Sequence, residues 1–168
     1  MKLKRLLSVL DVCECTADPE LDIRDISFDS RTTQPGDLFA AVCGYESDGH
    51  RRGAAVVLCQ RKPEVEIPYI LVADSRLALS RICCEFFDNP SRELTMIGVT
   101  GTNGKTTVTT LIKHMLEQCL HTKVGLIGTN ANVIGDEVLH TEHTTPDAYE
   151  LQKLLRRMVD AGCTHAVM

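Results

Sequence analysis

Gly101, Gly104, Lys105 and Thr106 stand in the run Thr100-Gly101-Thr102-Asn103-Gly104-Lys105-Thr106-Thr107, between the apolar stretch Met96-Ile97-Gly98-Val99 and a segment of helical periodicity. That order is what a polyphosphate demands. Backbone N–H groups turn toward one point, a helix N-terminus stands behind them, and a cation reaches the outer phosphates. Gly101 and Gly104 let the backbone approach a ligand with no Cβ in the way. Lys105 supplies an ammonium for the β- and γ-phosphates of a nucleotide such as ATP, and the Thr106 hydroxyl stands where P-loop proteins hold Mg²⁺. Thr102 and Asn103 complete the cradle, and Thr107 adds a second hydroxyl. The strict pattern G-x-x-x-x-G-K-[ST] would place its first Gly at Val99; here that Gly comes two residues later.

The elements around the loop have to hold it at a strand end. Val108, Leu111, Ile112, Met115, Leu116, Cys119 and Leu120 recur at i, i+3, i+4, i+7, i+8, i+11 and i+12, which predicts a helix with one face buried throughout. Lys123 to Gly128 reads as a second strand, reached by a crossover long enough to run parallel to the first. Val133 to Leu139, broken at Gly135-Asp136, reads as a small hairpin. Thr144-Thr145-Pro146-Asp147 predicts a helix start with Thr145 as N-cap and Pro146 at the first helical position. Leu151, Leu154, Leu155, Met158 and Val159 then bury one face, Gly162 ends the helix, and His165 to Met168 begins a third strand.

The first half carries shorter apolar runs. Leu3, Leu6, Leu7 and Leu10 predict a brief amphipathic helix, Asp11 to Asp22 a polar irregular stretch, and Ile23, Ile26 and Phe28 a strand entering Asp29-Ser30-Arg31. Gln34-Pro35-Gly36-Asp37 is a turn with positive φ at Gly36. Strands follow at Leu38 to Cys43, Ala54 to Cys59 and Tyr69 to Ala73, with a glycine-bracketed loop from Gly44 to His50 between the first two. A helix over 75–88 presents Leu77, Leu79, Ile82, Cys83, Phe86 and Phe87 on one face, with Asp74 or Ser75 as its cap. Asp88-Asn89-Pro90-Ser91-Arg92 marks a domain boundary, so residues 1–90 and 94–168 are read as two α/β domains, the second with a mainly parallel sheet.

A net charge of -5 argues against a nucleic-acid backbone as partner. None of the eight cysteines forms C-x-x-C, which excludes the common zinc spacings; Cys59, Cys83 and Cys119 sit among apolar neighbours as buried thiols do. No stretch reaches membrane-spanning length and the N-terminus lacks a signal-peptide core, so the cytoplasm is the expected compartment. The oligomeric state is not legible.

Three blocks in the chain resemble the Mur ligases, ATP-dependent enzymes that add amino acids to UDP-N-acetylmuramic acid in peptidoglycan synthesis. The first joins Asp29-Ser30-Arg31, Pro35-Gly36-Asp37-Leu38-Phe39 and Gly44-Tyr45-Glu46-Ser47-Asp48-Gly49-His50, similar to the family's UDP-holding segment; by resemblance Ser30 contacts the UDP moiety. The second is the glycine loop itself, whose displaced first Gly is how the family writes its ATP site. The third, His143-Thr144-Thr145-Pro146, is similar to the segment contacting the muramoyl-peptide, which implies substrate contacts from His143, Thr144 and Thr145. His143 stands where many members carry Asn.

The likeness is greatest to members that add a third residue, a diamino acid such as diaminopimelate or lysine, to a UDP-N-acetylmuramoyl-dipeptide. It implies ATP and Mg²⁺ as cofactors, a small N-terminal α/β substrate domain followed by the start of a P-loop central domain, and amide formation through an acyl phosphate. Lys105 would be catalytic by neutralising charge on the transferring phosphoryl group. Two departures go with the resemblance. The sequence stops where an acidic Mg²⁺ ligand is expected, with three strands in about 75 residues, so the central domain is read as truncated and the chain alone as inactive. Only Arg51-Arg52 fills the place of a usual helix before the Gly53-Ala54-Ala55-Val56 strand. The rival readings are a binding module for UDP-sugar or nucleotide without turnover, and a folylpolyglutamate-type ligase, which would not need the Asp29-Ser30-Arg31 block.

Overall fold

The computed structural model describes residues 1–42, 52–64, 66–129, 131–135, 137–140 and 146–168, which divide into a first unit, Met1–Phe86, and a second, Phe87–Met168. The expected loop at Gly44–His50, the site residues His143, Thr144 and Thr145, and most of the stretch expected to lack a helix lie outside the described residues.

In the first unit α1 (Leu3–Leu7) precedes β1 (Val12–Cys15), β2 (Ile26–Ser27), β3 (Leu38–Ala40), β4 (Val56–Cys59), β5 (Tyr69–Val72) and α2 (Ser75–Phe86). The sheet order is β1-β5-β4-β3-β2, parallel from β2 to β5, with β1 antiparallel on β5. β4 is buried at every position, so it reads as an unbroken apolar run, as strands covered on both faces do. The turn before β3 closes with Asp37 N donating to the Gln34 carbonyl at 3.2 Å, and Gly36 has φ +89° as its type requires. Asp37 is buried and accepts Arg24 Nε and Nη2 at 3.0 and 2.8 Å and Gln34 N at 2.8 Å.

Two readings change here. The stretch from Asp11 to Asp22 is irregular only in part, because Val12–Cys15 forms β1. All four β1 residues are exposed, so no apolar alternation marks the strand. It is held by its ladder to β5, by Tyr69 Oη donating to Glu14 Oε1, and by Lys62 Nζ on the same oxygen at 3.0 Å. On α2 the buried stripe is Ser75, Ala78, Leu79, Ile82 and Cys83, capped by Asp74, whose Oδ1 accepts Arg76 N and Leu77 N at 2.9 and 3.0 Å. Leu77 falls on the far side of the helix from that stripe and is exposed.

The second unit runs β6 (Thr95–Ile97), α3 (Lys105–Leu120), β7 (Lys123–Ile127), β8 (Ala131–Ile134), β9 (Glu137–His140), α4 (Ala148–Asp160) and β10 (Cys163–Val167). Its sheet order is β6-β10-β7-β8-β9, with β6, β10 and β7 parallel and the β8–β9 hairpin antiparallel beside β7. The three strands read from sequence thus become five, because the hairpin joins the same sheet. The chain passes from β6 beyond the position of β10 to β7 and then returns to β10. Crossovers of one hand running in opposite directions place their helices on opposite faces. Ile112 and Leu116 of α3 accordingly pack with Val124, Leu126 and Val167, whereas Leu154, Leu155 and Met158 of α4 pack with Ile127, Ile134, Cys163 and Ala166. Gly125 lies beneath α4, where a Cβ would sit 2.3 Å from Met158 Sδ.

The predicted burial of α3 is overturned in part. Val108, Leu111, Met115 and Leu120 are 43%, 56%, 64% and 52% exposed, and Cys119 is exposed too. The buried positions are Thr109 and Lys113, flanked by half-buried Ile112 and Leu116. Lys113 reaches its place because Glu117, one turn on, accepts its ammonium. The N-cap of α4 is also corrected: Asp147 fills it, its Oδ1 accepting Glu150 N at 2.9 Å, so the helix begins after Pro146. Among the described residues no helix is long and apolar enough to cross a membrane.

Candidate functional site

The parallel strands of the second unit end together. Met168 N donates to Ile97 O at 2.9 Å and Val99 N to Met168 O at 2.7 Å, which ties the entry of the glycine loop to the end of β10. Gly101 has φ +155° and Gly104 φ +80°, and Gly104 has no neighbouring atom within 4 Å of an ideal Cβ. The backbone is therefore in a conformation that favours glycine, and the space over Gly104 is open.

α3 begins immediately afterwards with Val108 N donating to Gly104 O at 2.9 Å. Gly104 is its N-cap, with no side-chain cap and no acidic residue in the first turn. The leading amides of a helix need acceptors from outside it, and the positive end of the dipole favours an anion. Lys105 is half-buried and donates from Nζ to Gly101 O at 2.6 Å. Thr106 is exposed; its carbonyl accepts the hydroxyls of Thr109 and Thr110 at 3.1 and 2.8 Å, while its own hydroxyl makes no hydrogen bond among the described residues. Gly101, Thr102, Asn103 and Thr107 are exposed around the same turn.

A cavity of about 450 Å³ opens here, lined by Gly98, Val99, Thr100, Lys105, Thr106, Thr109, Ile127, Gly128, Thr129, Pro146 and Met168. It lies at the carboxyl ends of β6, β7 and β10, where open α/β sheets take ligands. The structure brings Lys105 and Thr106 together in it. Thr109, Gly128 and Thr129 were missed from sequence, although the strand-end rule applied to β7 points to Gly128-Thr129. The chain offers a cation little beyond the Thr106 hydroxyl: among the described residues no three His, Cys, Asp or Glu side chains gather. The donor set therefore fits an anion, and the Thr106 hydroxyl is the group that would hold a Mg²⁺ accompanying it.

Ser30 lies in the first unit, just past β2, half-buried and with no side-chain hydrogen bond among the described residues. Its neighbours fix the turn around it. Asp29 O accepts Thr32 N, Thr32 Oγ1 and Thr33 Oγ1 at 3.1, 3.0 and 3.1 Å. Arg31 folds back on Asp29, with its amide on Oδ1 at 2.9 Å and Nη2 on Oδ2 at 2.6 Å. Hydrogen bonds from the Arg31 guanidinium first and from the Arg31 amide second, with the guanidinium charge adding to them, lower the Asp29 pKa from 3.8 to about 2. Buried Thr33 also stands 3.0 Å from Ser27 Oγ.

A glycine loop joining a parallel strand to an uncapped helix, with a lysine at the helix start, defines a P-loop α/β unit. Residues 99–168 match the family described as the Mur ligase middle domain. Over its whole length it is 42% identical to the UDP-N-acetylmuramoyl-L-alanyl-D-glutamate–2,6-diaminopimelate ligase of Cytophaga hutchinsonii, of which it covers 37%. It is 44% identical to the ligase of the same name from Chlorobium phaeobacteroides, again along its full length and over 35% of the relative. A solved structure of a ligase of that name superposes with a TM-score of 0.79 at 25% identity, covering 99% of this chain and 35% of the other. The chain thus spans little more than a third of the length of these relatives.

Proposed function

We propose that the chain supplies the UDP-binding domain and the first part of the ATP-binding domain of a cytoplasmic ligase that adds 2,6-diaminopimelate to UDP-N-acetylmuramoyl-L-alanyl-D-glutamate. The observation that carries this reading is the uncapped N-terminus of α3 behind Gly101 and Gly104, in a chain that aligns end to end with ligases of that name. The first unit, read as residues 1–90, would hold the UDP end through Ser30. The second, read as residues 94–168, would hold ATP on the amides of Gly101 to Thr107. When bound, ATP with Mg²⁺ supplies the phosphoryl group that activates the substrate carboxylate.

Lys105 would exchange the Gly101 carbonyl for phosphate oxygens and neutralise charge on the group being transferred, which is electrostatic stabilisation rather than proton transfer. Thr106 would hold Mg²⁺ through its hydroxyl. Thr144 and Thr145, with His143, are assigned to the muramoyl-peptide by resemblance.

Calorimetric titration of the chain with UDP-N-acetylmuramoyl-L-alanyl-D-glutamate and, separately, with Mg²⁺·ATP tests the reading. Ser30→Ala should weaken the first and spare the second, and Lys105→Ala should do the reverse. Equal loss of both ligands, or of neither, in either variant removes that residue from its site.

A further inference from the structure

Asn132 is only 8% exposed, yet it stands on β8 two residues before Ile134, on the face of the sheet that packs beneath α4. Packing alone would satisfy an apolar side chain at that register. A buried amide costs free energy unless it is hydrogen-bonded, so its partner matters. Asn132 Oδ1 accepts the backbone N–H of Gly128 at 3.3 Å.

That bond draws the chain leaving β7 back onto the start of β8. The approach is so close that a Cβ on Gly128 would lie 3.0 Å from the Ala131 carbonyl oxygen. Gly128 and Thr129, the residues so held, line the same cavity as Lys105, Thr106 and Thr109, whereas Asn132 does not reach it.

We propose that Asn132 is a positioning residue for the nucleotide pocket: it acts through Gly128 and Thr129, holding the wall at the end of β7 at a fixed distance from the phosphate loop. The inference rests on the nucleotide reading of that cavity. Without the side-chain acceptor, the Gly128 amide turns to water, Gly128 and Thr129 are no longer held against the start of β8, and the part of the cavity wall that they form loosens. A wall fixed before binding spares the ligand the entropy of ordering it.

The test compares Asn132→Leu, similar in size but without an acceptor, with Asn132→Asp, which keeps one, and with Lys105→Ala. The readouts are Mg²⁺·ADP affinity, thermal midpoint, and hydrogen exchange at the Gly128 amide. Loss of one hydrogen bond of ordinary net strength predicts that Asn132→Leu weakens Mg²⁺·ADP about fivefold at temperatures where the variant is fully folded. Gly128 should lose protection in that variant and keep it in Asn132→Asp. Gly128→Ala perturbs the same turn independently and should weaken the nucleotide likewise, which covers the case in which Asn132→Leu does not fold. Unchanged affinity in the folded variants, alongside a large loss in Lys105→Ala, would leave Asn132 a purely structural residue and overturn the proposal. Unchanged affinity in Lys105→Ala as well would overturn the nucleotide reading, and this proposal with it.

Discussion

Lys105 Nζ donates to the carbonyl oxygen of Gly101 at 2.6 Å, so the cation is folded over the loop that it follows. The contact is local, four residues apart, and partly open to water. Its contribution to stability is therefore small, whereas a charged hydrogen bond to phosphate in a partly enclosed cavity is worth about 1.5–3 kcal/mol. Lys105→Met should leave the thermal midpoint nearly unchanged and weaken Mg²⁺·ATP by about ten- to a hundredfold. A large fall in midpoint with intact affinity would make Lys105 a brace of the loop instead.

Asp29 and Arg31 predict a pH signature. The folded-state pKa of Asp29 is lowered from 3.8 to about 2 by hydrogen bonds from the Arg31 guanidinium and, second, from the Arg31 amide. A carboxylate with a depressed folded pKa stabilises the fold fully above its unfolded value, and that contribution is lost as pH falls through the folded one. The window here runs from about pH 4 down to about pH 2. In Arg31→Gln, which keeps the amide bond but loses the guanidinium, the Asp29 carboxyl, followed by carbon-detected NMR, should titrate higher than in the parent chain but still below its ordinary value. An unchanged midpoint would assign the shift to the turn amides and not to the guanidinium.

Much of the second unit was legible because its signals are local and mutually consistent. The glycine spacing, the lysine at the helix start and the apolar run before it need only sequence order to be read. β1 was not legible: Val12, Cys13, Glu14 and Cys15 are all exposed, and what makes them a strand is the edge of β5, far away in sequence. The N-cap of α4 was misread by two positions because Thr145 and Asp147 are both good caps, and only the Glu150 amide shows which is used. The face of α3 was misread because Val108, Leu111 and Met115 keep helical spacing equally well whether or not a neighbour covers them, and because Lys113 is buried only by virtue of Glu117.

Gly125 tests the packing beneath α4. Met158 is fully buried, and a Cβ at residue 125 would come 2.3 Å from its Sδ and 2.8 Å from its Cγ and Cε. Gly125→Ala must therefore displace Met158 from a filled core, at a cost of about 1–3 kcal/mol. Combining it with Met158→Val, which frees volume at the same point, should recover part of the loss. Chemical denaturation of the single and double variants measures the coupling, and additive effects would show that the two residues do not share the space.

α3 makes the sharpest contrast between a pattern and its use. Leu111 and Ile112 are adjacent and equally apolar, and both belong to the periodicity that predicts a buried face. Only Ile112 packs against the sheet, with Val124, Leu126 and Val167, while Leu111 is 56% exposed. Ile112→Ala removes packing from a half-buried site and should cost about 1–2 kcal/mol by the area that it uncovers. Leu111→Lys places a charge where water already reaches, on a helix that tolerates Lys well, and should change stability by no more than about 0.5 kcal/mol. Urea denaturation of both variants decides between the two accounts of the helix. If Leu111→Lys proves as costly as Ile112→Ala, Leu111 is covered in solution and the periodic reading of α3 holds after all.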